Sequence, residues 1–230
     1  MARTERGITA ERSRSSKDFG RKAASEEPRG KLLIVCEGSK TEPHYFESAR
    51  YEYRISQADV VICGKECGSA PISVVKYALT RFEQSKHKYE KVFCVFDRDS
   101  HPSYQEAIDL VRSHSANGFT AITSIPSFEF WLLLHFVDSR KEYIRTGKKS
   151  PGDLVVGDLT SHFEREFGYS YSKGQDHVFE LLLGRLKDAS KRAKRCISDA
   201  EATNNPNPST NVFELINTLR NISIPPLPEI

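Results

Sequence analysis

Two strand-length apolar runs, each ending in an acid, constrain this chain more than any other feature. Lys31-Leu-Leu-Ile-Val-Cys36 is apolar without alternation and passes at once into Glu37-Gly38. Lys91-Val-Phe-Cys-Val-Phe96 has the same character and passes into Asp97-Arg98-Asp99. An apolar run of this length without a polar face fits a strand covered on both sides, and so a parallel sheet with helices above and below. Ala58–Cys63 and Phe119–Thr123 are further strand candidates. Between the strands lie helical patterns. One starts at Glu42-Pro43 behind Thr41 as a cap and runs to about Arg50. A second carries Ile72, Val75, Ala78, Leu79 and Phe82 on one face, and a third Tyr104, Ala107, Ile108 and Val111. Ser127 is placed to cap an apolar helix over Phe128–Phe136. This alternation predicts an α/β fold: a core with a mainly parallel sheet flanked by helices.

The pattern changes after about residue 137, where only helical segments follow, over roughly 153–167, 176–201 and 211–220. Residues 1–30 hold eight Lys/Arg against five Asp/Glu and lack periodic apolar positions. Three regions follow: a disordered basic tail over 1–29, a catalytic core over 30–136, and a helical C-terminal extension over 137–230. Pro225-Pro226-Leu227-Pro228 excludes regular structure at the end.

Composition narrows the function classes. With 38% hydrophobic and 28% charged residues, the chain has enough apolar material for a core. Its longest apolar stretch, around Phe130–Phe136, is too short to span a membrane, and Met-Ala-Arg-Thr-Glu-Arg lacks a secretory h-region. The five cysteines are odd in number and irregularly spaced, against a disulfide framework and for a reducing, cytoplasmic setting. Cys63 and Cys67 have no second ligand pair nearby, so zinc is not expected. No Gly-x4-Gly-Lys-Ser/Thr is present, so any ATP chemistry must come from a partner. The net charge of +3 decides little, but its distribution matters. Arg185, Lys187, Lys191, Arg192, Lys194 and Arg195 fall within one helical segment. Lys191, Arg192, Lys194 and Arg195 are the nucleic-acid-binding candidates, a solvated helix face being the alternative.

In an open parallel sheet, ligands bind beyond the carboxyl ends of the strands. If the first and third strands are neighbours, Glu37, Asp97 and Asp99 converge there, with Asp97 and Asp99 on one side of an extended segment. Clustered carboxylates without His or Cys at ligand spacing select Mg²⁺ or Mn²⁺, which bridges carboxylate to phosphate. Glu37, Asp97 and Asp99 are therefore the candidate metal ligands and catalytic acids. Lys40, in the Glu37–Thr41 turn, is a candidate phosphate or leaving-group contact, although a surface lysine is the alternative. Lys173, in Tyr171-Ser-Lys-Gly174, is a candidate basic catalytic residue folded back onto the core. Trp131 and His135, four apart, read as packing residues.

Val35-Cys-Glu37-Gly38 paired with Val95-Phe-Asp97-Arg-Asp99 resembles the Toprim domain of topoisomerases, primases and several nucleases. Cys36–Phe46, Phe96–Asp99, Phe128–Phe136 and Asn207-Pro-Ser-Thr210 together resemble the RloB-like family of bacterial abortive-infection proteins, across residues 31–220. The resemblance implies a Toprim-like core, a divalent metal, a role in phage defence, and an ABC-type ATPase encoded alongside as partner. Related nucleases place a further metal-binding acid in a Ser-x-Glu motif. This implies Glu129 as a ligand of a second metal, an ordinary first-turn acid being the alternative. Related defence proteins act on nucleic acid, tRNA included.

The leading expectation is thus a Mg-dependent nuclease cleaving RNA or DNA as the effector of such a system. A non-catalytic Toprim-like module that binds nucleic acid or the ATPase partner is the second reading. A glycosyltransferase using Asp-x-Asp ranks last, because it leaves Glu37-Gly38 unexplained. Oligomeric state is not legible, and a homo-oligomer is compatible with the sequence.

Overall fold

The computed structural model describes residues 31–57, 59–86, 89–98 and 101–222. The expected N-terminal tail and the proline-rich end lie outside these residues, as does Asp99. Five strands form one sheet: β1 (Lys31–Cys36), β2 (Val60–Cys63), β3 (Tyr89–Asp97), β4 (Phe119–Ile125) and β5 (Ser209–Thr210). Their order is β2-β1-β3-β4-β5. The first four run parallel, with Cys36 opposite Val95 and Asp97 opposite Ser124. The expectation of helices alone after residue 137 is corrected by β5. This two-residue strand pairs antiparallel with β4, and Thr210 and Ser124 join their hydroxyls at 2.9 Å.

Side chains of β1 and β3 alternate between two buried cores, which is why both strands read as continuously apolar. Leu33, Val35, Val92, Cys94 and Phe96 face α2 (Pro71–Gln84) and α3 (Tyr104–Ser113). Leu32, Ile34, Cys36, Phe93 and Val95 face a larger core. That core is built by α1 (Thr41–Glu52), α4 (Glu129–Leu133), α5 (Pro151–Phe167), α6 (Val178–Leu182), α7 (Leu186–Thr203) and α8 (Val212–Asn221). The C-terminal helices therefore bury their apolar faces in the same core as α1. Phe179 of α6, for example, meets Tyr45 and Tyr53 edge-on at 5.2 and 5.5 Å.

Local details depart from expectation where tertiary contacts take over. The helical segment expected over 176–201 breaks into α6 and α7 around a single 3-10 turn at Leu183–Arg185. Thr41 does not cap α1 but is its first residue, and its Oγ1 instead accepts from Gly174 N at 3.1 Å. Ser127 does not cap α4 through its side chain; its hydroxyl donates to Glu129. Among the described residues, no helix is long and apolar enough to cross a membrane.

Candidate active site

The chain leaves β1 for β2 on one side, then crosses back to place β3 on the other. The gap between the carboxyl ends of β1 and β3 is therefore the topological switch point, where such sheets bind ligands. Glu37 follows β1 and Asp97 ends β3, one on each side of this gap. Glu37 N donates to Val95 O at 2.9 Å, extending the ladder by one residue. Asp97 N donates to Glu37 Oε2 at 3.1 Å. The expected neighbourhood of Glu37 and Asp97 is met by direct contact.

The Glu37 turn is held in place by close backbone approach. Gly38 adopts φ +77°, a conformation costly for any residue with a Cβ. Gly64, just past β2, packs so tightly that a Cβ would stand 2.4 Å from Gly38 O. The Cys67 thiol donates to Cys36 O at 2.8 Å and to Gly64 O at 2.9 Å. Cys67 thus links the end of β1 to the turn after β2.

Two further carboxylates reach the same edge. Glu129 opens α4 and is 3% exposed; its Oε2 accepts from Ser127 Oγ at 2.7 Å. Glu42, in the first turn of α1, is 9% exposed. Sequence reading missed Glu42 because an acid in a first helical turn has an ordinary explanation in the helix dipole. One signal was available. In a β-turn-α unit the helix begins at the edge where the strand ends, so a first-turn acid behind Glu37 belongs to the same edge.

These acids oppose one another. Burial raises the Glu42 carboxyl to about 8, against a hydrogen bond from its own backbone. Glu129 and Glu37 push it further up, and Lys173 pulls it down. Asp97 is crowded by protein on most sides yet keeps some contact with solvent. Burial raises its carboxyl well above the usual range, and Glu42, Glu129 and Glu37 add to the rise against a backbone hydrogen bond from Phe128.

Lys173 is brought to this cluster by a loop folded back from the C-terminal half, as the sequence suggested. Its Nζ lies 3.5 Å from Glu129 Oε1. The loop is fixed at Gly174, which takes φ +75° and leaves no room for a Cβ beside the Lys40 stem. Besides the bond from Gly174 N to Thr41, His44 Nδ1 donates to Gly174 O at 3.2 Å. The Tyr171 hydroxyl is buried beside Thr41 without a partner of good geometry, and nearby Glu129 and Glu42 help to hold it protonated after burial itself. Lys40 is exposed and forms no ion pair among the described residues. Trp131 and His135 are packing residues, the indole donating to Tyr45 Oη at 2.8 Å. A cleft of about 390 Å³, which none of the cluster acids lines, opens between Arg98, Ile125, Pro126 and the Asn204–Asn207 loop.

The four basic candidates of α7 do not share one surface. Arg192 Nη1 donates to Leu134 O at 2.7 Å and so ties α7 to the core, whereas Arg195 pairs with Asp138 at 2.8 Å on the exposed surface. Lys191 and Lys194 remain exposed. Among the described residues, no three acidic, histidine or cysteine side chains stand close enough to form a preassembled metal-ligand set.

A family model described as RloB-like protein matches residues 32–219. No curated protein and no solved structure matches the chain. The matched span runs from β1 into α8 and takes in every carboxylate of the switch-point cluster. The chain belongs to the RloB-like family.

Proposed function

We propose that this protein is a Mg²⁺- or Mn²⁺-dependent Toprim-type nuclease that cleaves phosphodiester bonds in RNA, such as tRNA, or in DNA. The observation that carries this reading is the Glu37–Asp97 contact at the switch point, with Glu42 and Glu129 buried at the same edge. Such a set of mutually repelling oxygens needs positive charge, and its all-oxygen chemistry fits Mg²⁺ or Mn²⁺. Glu37, Asp97 and Asp99 would hold one ion, and Glu129 with Glu42 a second. Bound there, the ion supplies charge neutralisation on the phosphoryl oxygens and a more acidic water. Glu37 orients Asp97 by accepting its backbone N–H. Lys173, held against Glu129, presents an ammonium group to the leaving oxygen, and Lys40 one to a neighbouring phosphate.

Membership of the RloB-like family supports a role as effector of a bacterial abortive-infection system against phage, with an ABC-type ATPase as partner, in the cytoplasm. The buried, free state of all five cysteines suits a reducing compartment. One observation favours a second reading, a non-catalytic module that binds nucleic acid or the ATPase: the absence of a preassembled ligand set among the described residues. Sequencing of cellular RNA and DNA ends after expression of wild type and of Glu37→Ala separates the two. New RNA or DNA ends that depend on Glu37 support the nuclease. Toxicity with identical RNA and DNA ends in both strains supports the module.

A further inference from the structure

The six cations of the α7 segment divide into two groups. Arg185 pairs with Glu166, Arg195 with Asp138, and Arg192 with the Leu134 carbonyl. Lys187, Lys191 and Lys194 form no ion pair among the described residues, and all three are exposed. Their spacing of four and then three residues places them in one stripe along the helix. The acid between them, Asp188, sits roughly 100° round the helix from Lys187 and about 60° from Lys191, at the edge of the stripe. Arg220 of α8 faces the stripe across a groove of about 230 Å³ that also takes in Asn217 and Ser190 and that, among the described residues, no carboxylate lines. Lys194 is further held by the Phe213 ring, with its ammonium 5.4 Å from the centroid.

Three like charges, Lys187, Lys191 and Lys194, along one groove raise the free energy of the unbound protein and lower that of a bound polyanion. Lys187 to Lys194 spans about 10 Å along the helix, with successive lysines about 5–6 Å apart, close to the separation of neighbouring phosphates on one strand, so the three ammonium groups can meet about three consecutive phosphates. We infer that the α7–α8 groove is a docking track for the phosphate backbone of a nucleic-acid strand, separate from the acid cluster. The inference deepens the nuclease reading and rests on it for the substrate class.

The test is fluorescence anisotropy in EDTA, so that binding is read without cleavage, using RNA and DNA strands of 4 and 30 nucleotides. Wild type should bind the long strands far more tightly than the short ones. Lys187→Glu/Lys191→Glu/Lys194→Glu should lose at least tenfold in affinity for the long strands, and its salt slope should fall by about 2, as loss of three single-strand phosphate contacts requires. The milder Gln triple variant should lose less in the same direction. The matched reversal Lys76→Glu/Lys91→Glu/Arg112→Glu, outside the groove, should bind within a factor of about two to three of wild type. An unchanged affinity and slope in the Glu triple, or an equal loss in the matched reversal, overturns the track while leaving the nuclease reading intact. Wild type that binds neither RNA nor DNA, or binds only anionic phosphatidylserine vesicles, overturns both.

Discussion

Replacing Glu42 by Gln should stabilise the metal-free protein, by an amount that grows with pH. The carboxyl lies at about 8 in the folded chain, raised by burial and by Glu129 and Glu37. In the unfolded chain it titrates near its ordinary value of 4.5. Because the folded value is the higher one, the folded state binds more protons across this window, and stability falls as pH rises from about 4.5 to about 8. Each pKa unit is worth about 1.36 kcal/mol, so the penalty is near zero at pH 4.5, about 3 kcal/mol at pH 7 and about 5 kcal/mol beyond pH 8. Gln keeps the shape and cannot ionise, so it removes most of this penalty, less whatever its amide fails to satisfy. For a chain of this size, about 3 kcal/mol corresponds to a melting-temperature gain of roughly 6–12 °C. Thermal unfolding of both proteins in EDTA at pH 5, 7 and 9 is the assay. A gain that rises from pH 5 to pH 9 is expected, and added Mg²⁺ should narrow it by stabilising wild type more. A loss of stability at every pH, or a difference that ignores pH, would show that Glu42 is a well-satisfied structural acid and would refute the repulsion argument.

Lys173→Met should lower the melting temperature of the metal-free protein modestly, because it leaves the buried Glu129 without its cation, and lower the cleavage rate at least tenfold with bound-substrate affinity retained. Gly64→Ala should cost on the order of 1–3 kcal/mol in denaturant unfolding, since the new Cβ would meet Gly38 O at 2.4 Å and displace the Glu37 turn. Activity should fall more than stability alone requires. His135→Phe should flatten the acid side of the stability profile. Burial lowers the His135 imidazole to about 4, with the Arg192 and Arg185 charges adding to the effect against hydrogen bonds to Trp131 and Leu132. With the folded value below the unfolded one, wild type loses stability as pH falls from about 6.5 to about 4, and chemical denaturation across that range should show the variant losing about 3 kcal/mol less.

The sheet was legible in the sequence because β1 and β3 are buried on both faces, and a run such as Leu32–Cys36 admits few other structures. The meeting of Glu37 and Asp97 followed from the same runs, since two central strands ending in acids bring those acids to one edge. Glu42 and the Ser127–Glu129 bond were less legible. Whether a first-turn acid faces water or a buried cluster depends on what packs over it, here a loop from more than 130 residues away whose Gly174 donates to Thr41. The two-residue β5 had too few residues to show a period, and only its pairing with Ser124 and Ile125 makes it a strand. The charges of α7 were visible, but their division was not. Arg192 and Lys191 are neighbours in sequence, and only the position of the Leu134 carbonyl turns one inward.

Cleavage of end-labelled RNA and DNA by wild type and Asp97→Asn, with and without Mg²⁺ and together with any ATPase partner that activity requires, tests the metal-dependent nuclease most directly. Asn keeps the Asp97 shape and its backbone bond to Glu37 while removing the charge that would hold the ion. Wild type should cut with Mg²⁺ or Mn²⁺ and not in EDTA, and the variant should fold, bind nucleic acid and leave it intact. Cleavage by Asp97→Asn at the wild-type rate with an unchanged Mg²⁺ dependence would remove Asp97 from the site and contradict metal-assisted chemistry at the β1–β3 switch point.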